Sequence, residues 1–364
     1  MDFVLLPVLE TGIILSPSER RLNMRLSFND LIIELSSSRK DFTDYLERIY
    51  GSLKTADDKQ EAHIVISVAW SKDPSDFKDR VLGQAERVWK RVGAQTYIAQ
   101  KACLYNEKID KRNTQIFLTE RDQRLFFEIC RKEKPLSDFF RKDKEDQLRE
   151  WVHYFVFFPL FFYGERFRGL HPLHAALAVF HGKNVVIMGL ENTGKTSLTL
   201  EMARRENALL LSDNLCLYGG ERVYPCHQPI KSRRGDNAMG RRHFQPASGT
   251  RHREYYFPDA PLPCGYAPDL LILPCFAHSP FTKELSAVEA ARFVFNANFL
   301  VSELKKYVSC AHIWNFALDA ESFMTAQRDH LARLVSRCRC YQIGIGPRES
   351  VPQTVDRIQR LLEP

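Results

Sequence analysis

The run Asn184-Val185-Val186-Ile187-Met188-Gly189-Leu190-Glu191-Asn192-Thr193-Gly194-Lys195-Thr196-Ser197 decides how the chain is read. Its glycines, lysine and hydroxyl follow G-x-x-x-x-G-K-[ST], a pattern with a mechanical meaning. The glycines let successive backbone N–H groups turn around phosphate oxygens, at the positive end of the helix that follows. Lys195 then reaches the β- and γ-phosphates, and the Thr196 hydroxyl ligates Mg²⁺. Four fixed positions of this kind arise by chance in a chain this long only about once in a hundred. Val185, Val186 and Ile187 predict a buried strand entering the loop, while Leu198, Leu200, Met202 and Ala203 predict a helix leaving it. Gly189, Leu190, Glu191, Asn192, Thr193, Gly194, Lys195, Thr196 and Ser197 are therefore the expected nucleotide-binding residues.

Working outward, residues 171–179 read as a short strand and His181-Gly182-Lys183-Asn184 as a turn into the phosphate-loop strand, which together predict a hairpin. Downstream, Ala208-Leu209-Leu210-Leu211-Ser212 is an apolar strand ending at Asp213, where a metal-binding or base carboxylate belongs. From Lys231 to Arg253 seven basic residues (Lys231, Arg233, Arg234, Arg241, Arg242, Arg251, Arg253) and glycines predict a mobile basic loop. It is read either as a substrate clamp or as a solvated segment. A strand over 269–273, a helix announced by the capping box Ser286 to Glu289, a helix over 322–336, a strand over 340–344 and a last helix with Ser350 as N-cap complete the chain.

The first half carries no motif of chemical meaning. Strands are expected at 31–35, 63–68, 95–104 and 115–119, a helix around Phe42, Tyr45, Leu46 and Ile49, and a second helix near Arg124 to Arg131. The charged stretch 141–149 reads as a solvated helix face or connector. The apolar run Trp151 to Tyr163, only 13 residues long, reads as a buried helix, because a span needs about 20.

Length and composition bound the function. A chain of 364 residues predicts two domains or one core with large additions. A net charge of +7, from 52 basic against 45 acidic side chains, is a mild imbalance that does not point to nucleic acid. Nine scattered cysteines and an N-terminus without a basic leader pattern predict reduced thiols and a cytoplasmic protein without membrane association. Cys338-x-Cys340 reads as part of a strand face, not as a metal site.

Three stretches together resemble the HPr kinase/phosphorylase-like kinases, part of the phosphoenolpyruvate-carboxykinase-like group: Leu173-His174-Ala175-Ala176-Leu177-Ala178, the phosphate loop fifteen residues after that histidine, and Leu210-Leu211-Ser212-Asp213-Asn214-Leu215. The resemblance covers roughly residues 157–362. It implies that His174 is an active-site residue, although alone it would read as a core histidine. It implies also that Lys195 and Thr196 hold nucleotide and Mg²⁺. The family's two aspartates at the end of the next strand serve as metal partner and as base for the acceptor hydroxyl. Here the pair is either Asp213 and Asn214 or, in a gapless alignment, Ser212 and Asp213, so one carboxylate is missing. An Asn accepts no proton at neutral pH, which leaves Asp213 as base and metal partner. No downstream glutamate ligand is evident in the sequence.

The expectation is an α/β fold: a P-loop kinase core of the HPr-kinase/PEP-carboxykinase-like type over residues 151–364, and a small α+β domain over residues 1–150 that is accessory or substrate-recruiting. The catalytic candidates are His174, Lys195 and Asp213, the metal candidates Thr196 and Asp213, and the cofactors ATP, with GTP left open, and Mg²⁺. The expected partner is a hydroxyl acceptor, a protein or peptide serine, with a small-molecule hydroxyl and homo-oligomerisation left open. The rival is a nucleotide-binding regulator or NTPase without an acceptor. The loop also resembles that of small Arf-like GTPases, but the D-x-x-G and N-K-x-D runs that such proteins need beyond it are missing.

Overall fold

A computed structural model describes residues 22–55, 60–84, 87–109, 112–133, 144–205, 208–233, 244–249, 253–258, 265–318 and 323–363. The phosphate-loop strand Lys183–Met188 lies inside a six-stranded mixed sheet in the spatial order Ala208–Ser212, Ala175–Phe180, Lys183–Met188, Leu270–Phe276, Arg339–Ile345, Phe281–Leu285. It pairs antiparallel with Ala175–Phe180 through the expected hairpin. The turn residues His181 and Gly182 both adopt positive φ (50° and 74°), the twist that two-residue hairpins favour. On its other side the strand runs parallel to Leu270–Phe276, which in turn is parallel to Arg339–Ile345.

Alternation along the strand explains its unbroken apolar run. Val185 and Ile187 pack with Leu198 and Met202 of the helix Lys195–Ala203 and with Val355 and Ile358 of the helix Val351–Arg360. Val186 and Met188 face the other way, toward Ala290 and Val294 of Ala287–Leu300 and Leu331, Leu334 and Val335 of Phe323–Ser336. Successive side chains point to opposite faces, so a strand covered by helices on both sides is apolar at every position. Both expected N-caps form. Ser286 and Glu289 close a reciprocal capping box, as do Ser350 and Gln353.

The first half folds into one eight-stranded mixed sheet rather than a domain of a few short strands. Its order is Leu22–Phe28, Leu31–Ser37, Ile64–Ser71, Arg124–Lys132, Arg112–Arg121, Ala102–Ile109, Thr96–Ala99, Lys90–Gly93. The helix expected near Arg124 to Arg131 is instead a strand of this sheet, parallel to Ile64–Ser71 and antiparallel to Arg112–Arg121. A two-residue turn at Asp122 and Gln123, both at positive φ, folds it back, and tertiary pairing outweighs the helix-like spacing of its apolar residues.

The aromatic stretch is helical from Lys144–Val152 through Phe158–Tyr163 and is buried, but its turns widen at His153–Phe157 and again at Gly164–Arg168. Pro159 lacks the N–H that a regular turn would offer to Phe155, a physical cause for the first widening. Phe155, Phe158 and Phe162 share one core with Phe42, Ile66 and Phe127 of the first half and with Tyr307 and Trp314 of the helix Ser302–Ala317. That core crosses the boundary expected near residue 150. No helix among the described residues is long and apolar enough to cross a membrane. The eight described cysteines are free thiols, and Cys338 and Cys340 lie with their sulfurs 3.9 Å apart at the start of an inner strand.

Candidate active site

The loop Gly189 to Gly194 joins the carboxyl end of Lys183–Met188 to the first turn of Lys195–Ala203. Gly194 has φ 92° and Asn192 φ 63°, conformations that favour residues with little or no steric cost at Cβ. At Gly189 a Cβ would stand 3.0 Å from Thr193 Oγ1 and 3.3 Å from the Pro274 carbonyl oxygen, so the first motif glycine is required by close approach. Lys195 is buried, and its ammonium donates to the carbonyls of Gly189 (2.9 Å) and Leu190 (2.7 Å). Burial lowers its pKa to about 8, against the pull of Asp213, Glu191 and Glu303. Glu191 accepts from the Ser302 N–H (2.8 Å) and hydroxyl (2.7 Å), which ties the loop to the positive end of Ser302–Ala317 and holds its carboxyl below the ordinary value.

Across from the loop stands His174, where the chain leaves the short strand His171–Leu173 and enters Ala175–Phe180. Asn298 holds its backbone: Asn298 Oδ1 accepts from the His174 N–H (2.8 Å) and Asn298 Nδ2 donates to the Pro172 carbonyl (2.9 Å). Burial, reinforced by the Lys195 charge, lowers the His174 pKa to about 4, so the ring is neutral. His174 Nε2 lies 3.1 Å from Asn214 Oδ1, and Asn214 Nδ2 donates to Glu303 Oε2 at 2.8 Å.

The two sequence alignments of the carboxylate position part here. Ser212 is buried and spends its hydroxyl on the Leu215 carbonyl (2.8 Å), whereas Asp213 and Asn214 both line the cleft. The pair that faces Lys195 is therefore Asp213 and Asn214. Glu303 joins them from the first turn of Ser302–Ala317. Burial alone would raise its pKa, but His153, the Asn214 amide and Arg149 outweigh that and lower it. Sequence reasoning missed Glu303, for it lies 89 residues from Asn214 in a helix without any motif.

The cleft enclosed by these groups has a volume of about 530 Å³. Its loop side is Glu191, Asn192, Gly194, Lys195, Thr196 and Ser197, and its far wall is Tyr50, Arg149, His153, Phe157, Gln228 and Pro229. Tyr50 comes from the helix Lys40–Tyr50 of the first half, so that region borders the site directly. His153 reaches it from the widened turn, a feature that recurs at functional sites.

The residues fit a nucleotide and its metal. A backbone loop with required glycines ends at a helix N-terminus with one buried cation, the donor set that phosphate oxygens need. Thr199 turns its hydroxyl back to the Lys195 carbonyl (3.1 Å), while Thr196 and Ser197 line the cleft. Among the described residues no cluster of three or more His, Cys, Asp or Glu could hold a metal by itself. Mg²⁺ is commonly held by one or two protein oxygens together with substrate phosphates, and Thr196 and Asp213, which both line the cleft, carry oxygens of that type.

The expected basic loop is only partly a loop. Ile230–Arg233 and Arg253–Pro258 pair antiparallel, Arg233 opposite Arg253, with Phe244–Gly249 on the far side of the second strand. Arg234, Arg241, Arg242 and Arg251 lie outside the described residues. Comparison with protein-family models and with curated proteins finds no match to this chain.

Proposed function

We propose that this protein is an ATP-dependent kinase of the HPr-kinase-like type that transfers the γ-phosphate to a hydroxyl, a serine of a protein or peptide. One observation carries the reading: a phosphate loop with its buried lysine shares a single cleft with an aspartate, a neutral histidine and a wall of other side chains. A site for hydrolysis alone needs the first two; the wall offers room for a second substrate. The loop N–H groups and Lys195 bind the phosphates, and Thr196 and Asp213 hold Mg²⁺, which when bound neutralises phosphate charge. Asp213 accepts the proton of the acceptor hydroxyl, and Tyr50, Phe157 and Gln228 shape the acceptor side. Phosphoryl transfer asks mainly for alignment and charge stabilisation, and this set supplies both.

The test is transfer of labelled γ-phosphate into a serine-bearing protein fraction, run beside bare hydrolysis. Labelled phosphoserine that disappears when Lys195 is replaced by alanine supports the kinase. Steady hydrolysis with no labelled acceptor from any extract would replace it with a nucleotide-dependent regulator.

A further inference from the structure

The three-residue chain from Glu303 through Asn214 to His174 has only one consistent arrangement of protons. An ionised carboxylate only accepts, so the Asn214 group that meets Glu303 Oε2 at 2.8 Å is its amino group. The Asn214 carbonyl oxygen then faces His174 Nε2 at 3.1 Å, and that nitrogen must carry the hydrogen. A neutral imidazole with its hydrogen on Nε2 has a lone pair on Nδ1. His174 Nδ1 is buried and has no hydrogen-bond partner among the described residues, although the ring lines the cleft.

A buried acceptor of this kind costs free energy until a donor meets it. Phosphate and carboxylate oxygens cannot be that donor, since they too accept. With its one N–H committed to Asn214, the ring has none to offer the transferring phosphoryl group.

We propose that Asn214 and Glu303 are positioning residues that lock His174 with Nε2 protonated, so that Nδ1 accepts a hydrogen bond from an N–H or O–H of the acceptor substrate beside its reacting hydroxyl, whose own proton goes to Asp213. His174 thereby reads whether the second substrate carries a donor next to the reacting hydroxyl, and an acceptor presenting a carboxylate or a phosphate at that place is rejected. The last clause rests on the kinase reading above, whereas the tautomer lock does not.

The groups around His174 agree with the assignment. Lys195 and Glu191 belong to the phosphate loop, Glu303 to the helix Ser302–Ala317, and the Asn298 clamp to the backbone on the preceding helix. Lys195 opposes protonation of the ring, and Glu303 and the Asn214 bond favour it, with burial the largest influence and against the charge. Asn298 holds the backbone at this position, so Asn214 is left to set which ring nitrogen carries the proton.

The experiment is ¹⁵N NMR of the full chain labelled at histidine, with His174 assigned by its absence in His174→Gln. The wild type should show Nε2 protonated and Nδ1 bare at neutral pH. Asn214→Leu, which keeps the size but removes both bonds, should give a mixed tautomer and lower labelled-phosphate transfer by about tenfold, the worth of one hydrogen bond. Its nucleotide affinity in calorimetry should stay unchanged. Glu303→Gln can still accept from Asn214 and should retain the tautomer; Glu303→Leu should lose it. A bare Nε2 in the wild type, or an Asn214→Leu chain with the wild-type tautomer, overturns the lock. A locked tautomer in a protein that labels no acceptor leaves the lock standing and removes the kinase reading instead. If Asn214→Leu does not fold by circular dichroism, the Glu303→Gln and Glu303→Leu pair decides the question.

Discussion

His171 and His174 stand at the two ends of one short strand, and the helix Ser302–Ala317 serves both, yet their surroundings differ in kind. His171 is closed in. Its Nδ1 lies 3.2 Å from Glu165 Oε1 and its Nε2 lies 3.2 Å from His330 Nδ1, while Tyr307 donates its hydroxyl to Glu165 and His330 contacts the Gly169 carbonyl. His174 is completed on one side only, through Asn214 and Glu303, and faces a cleft on the other. The two glutamates diverge accordingly. Burial pushes Glu165 up to about 8, with the Tyr307 hydroxyl offsetting it in part, whereas Glu303, despite its burial, falls below its ordinary value beside His153 and the Asn214 amide. Similar residue types thus make a self-satisfied structural knot in one place and an open, charged site a turn away. Only the second leaves polar atoms for a ligand.

The sharpest way to break this comparison is Asp213→Asn, which keeps shape but removes the proton-accepting lone pair at the open site. Transfer to an acceptor should fall by roughly 10²–10⁴-fold, the usual worth of a general base, with nucleotide binding retained. A variant as active as wild type in the labelled-phosphate assay would remove Asp213 from the chemistry. Lys195→Ala should weaken binding of the Mg²⁺·ATP complex by about 10²-fold in calorimetry, because two charge-assisted hydrogen bonds are lost. Wild-type affinity there would show that the loop does not serve triphosphate.

At the closed knot the expected effects are on stability. Glu165 is raised above its unfolded value of 4.5 to about 8, so the stability it contributes is complete below pH 4.5 and is lost as pH rises through 8. Glu165→Gln should flatten that loss by up to about 1.4 kcal/mol per pH unit, read from denaturant unfolding between pH 5 and 9. Parallel curves for the two chains would mean that Glu165 ionises normally. The smallest effect belongs to Tyr307→Phe. Removing its hydroxyl should cost about 1 kcal/mol of stability at pH 7 while leaving Mg²⁺·ATP affinity unchanged. A large drop in affinity would mean that the knot and the cleft are one energetic unit.

What could be read along the chain was local. The phosphate loop, the buried strand before it, the hairpin at His181-Gly182, the capping box at Ser286, the N-cap at Ser350 and the strand that delivers Asp213 all follow from periodicity, turn chemistry and a spacing pattern within about ten residues. Tertiary pairing decided the rest. Leu125, Phe127 and Ile129 became one strand face because Ile64–Ser71 and Arg112–Arg121 hydrogen-bond on either side of them, a partnership that no local window contains. Glu303, Arg149, His153 and Tyr50 meet Lys195 and His174 because three helices converge on one cleft. The choice of Asp213 with Asn214 over Ser212 with Asp213 depends on which way each side chain leaves the end of a strand. Packing, not spacing, makes that choice: the Ser212 hydroxyl is held by the Leu215 carbonyl, and its neighbours are left to face the cleft.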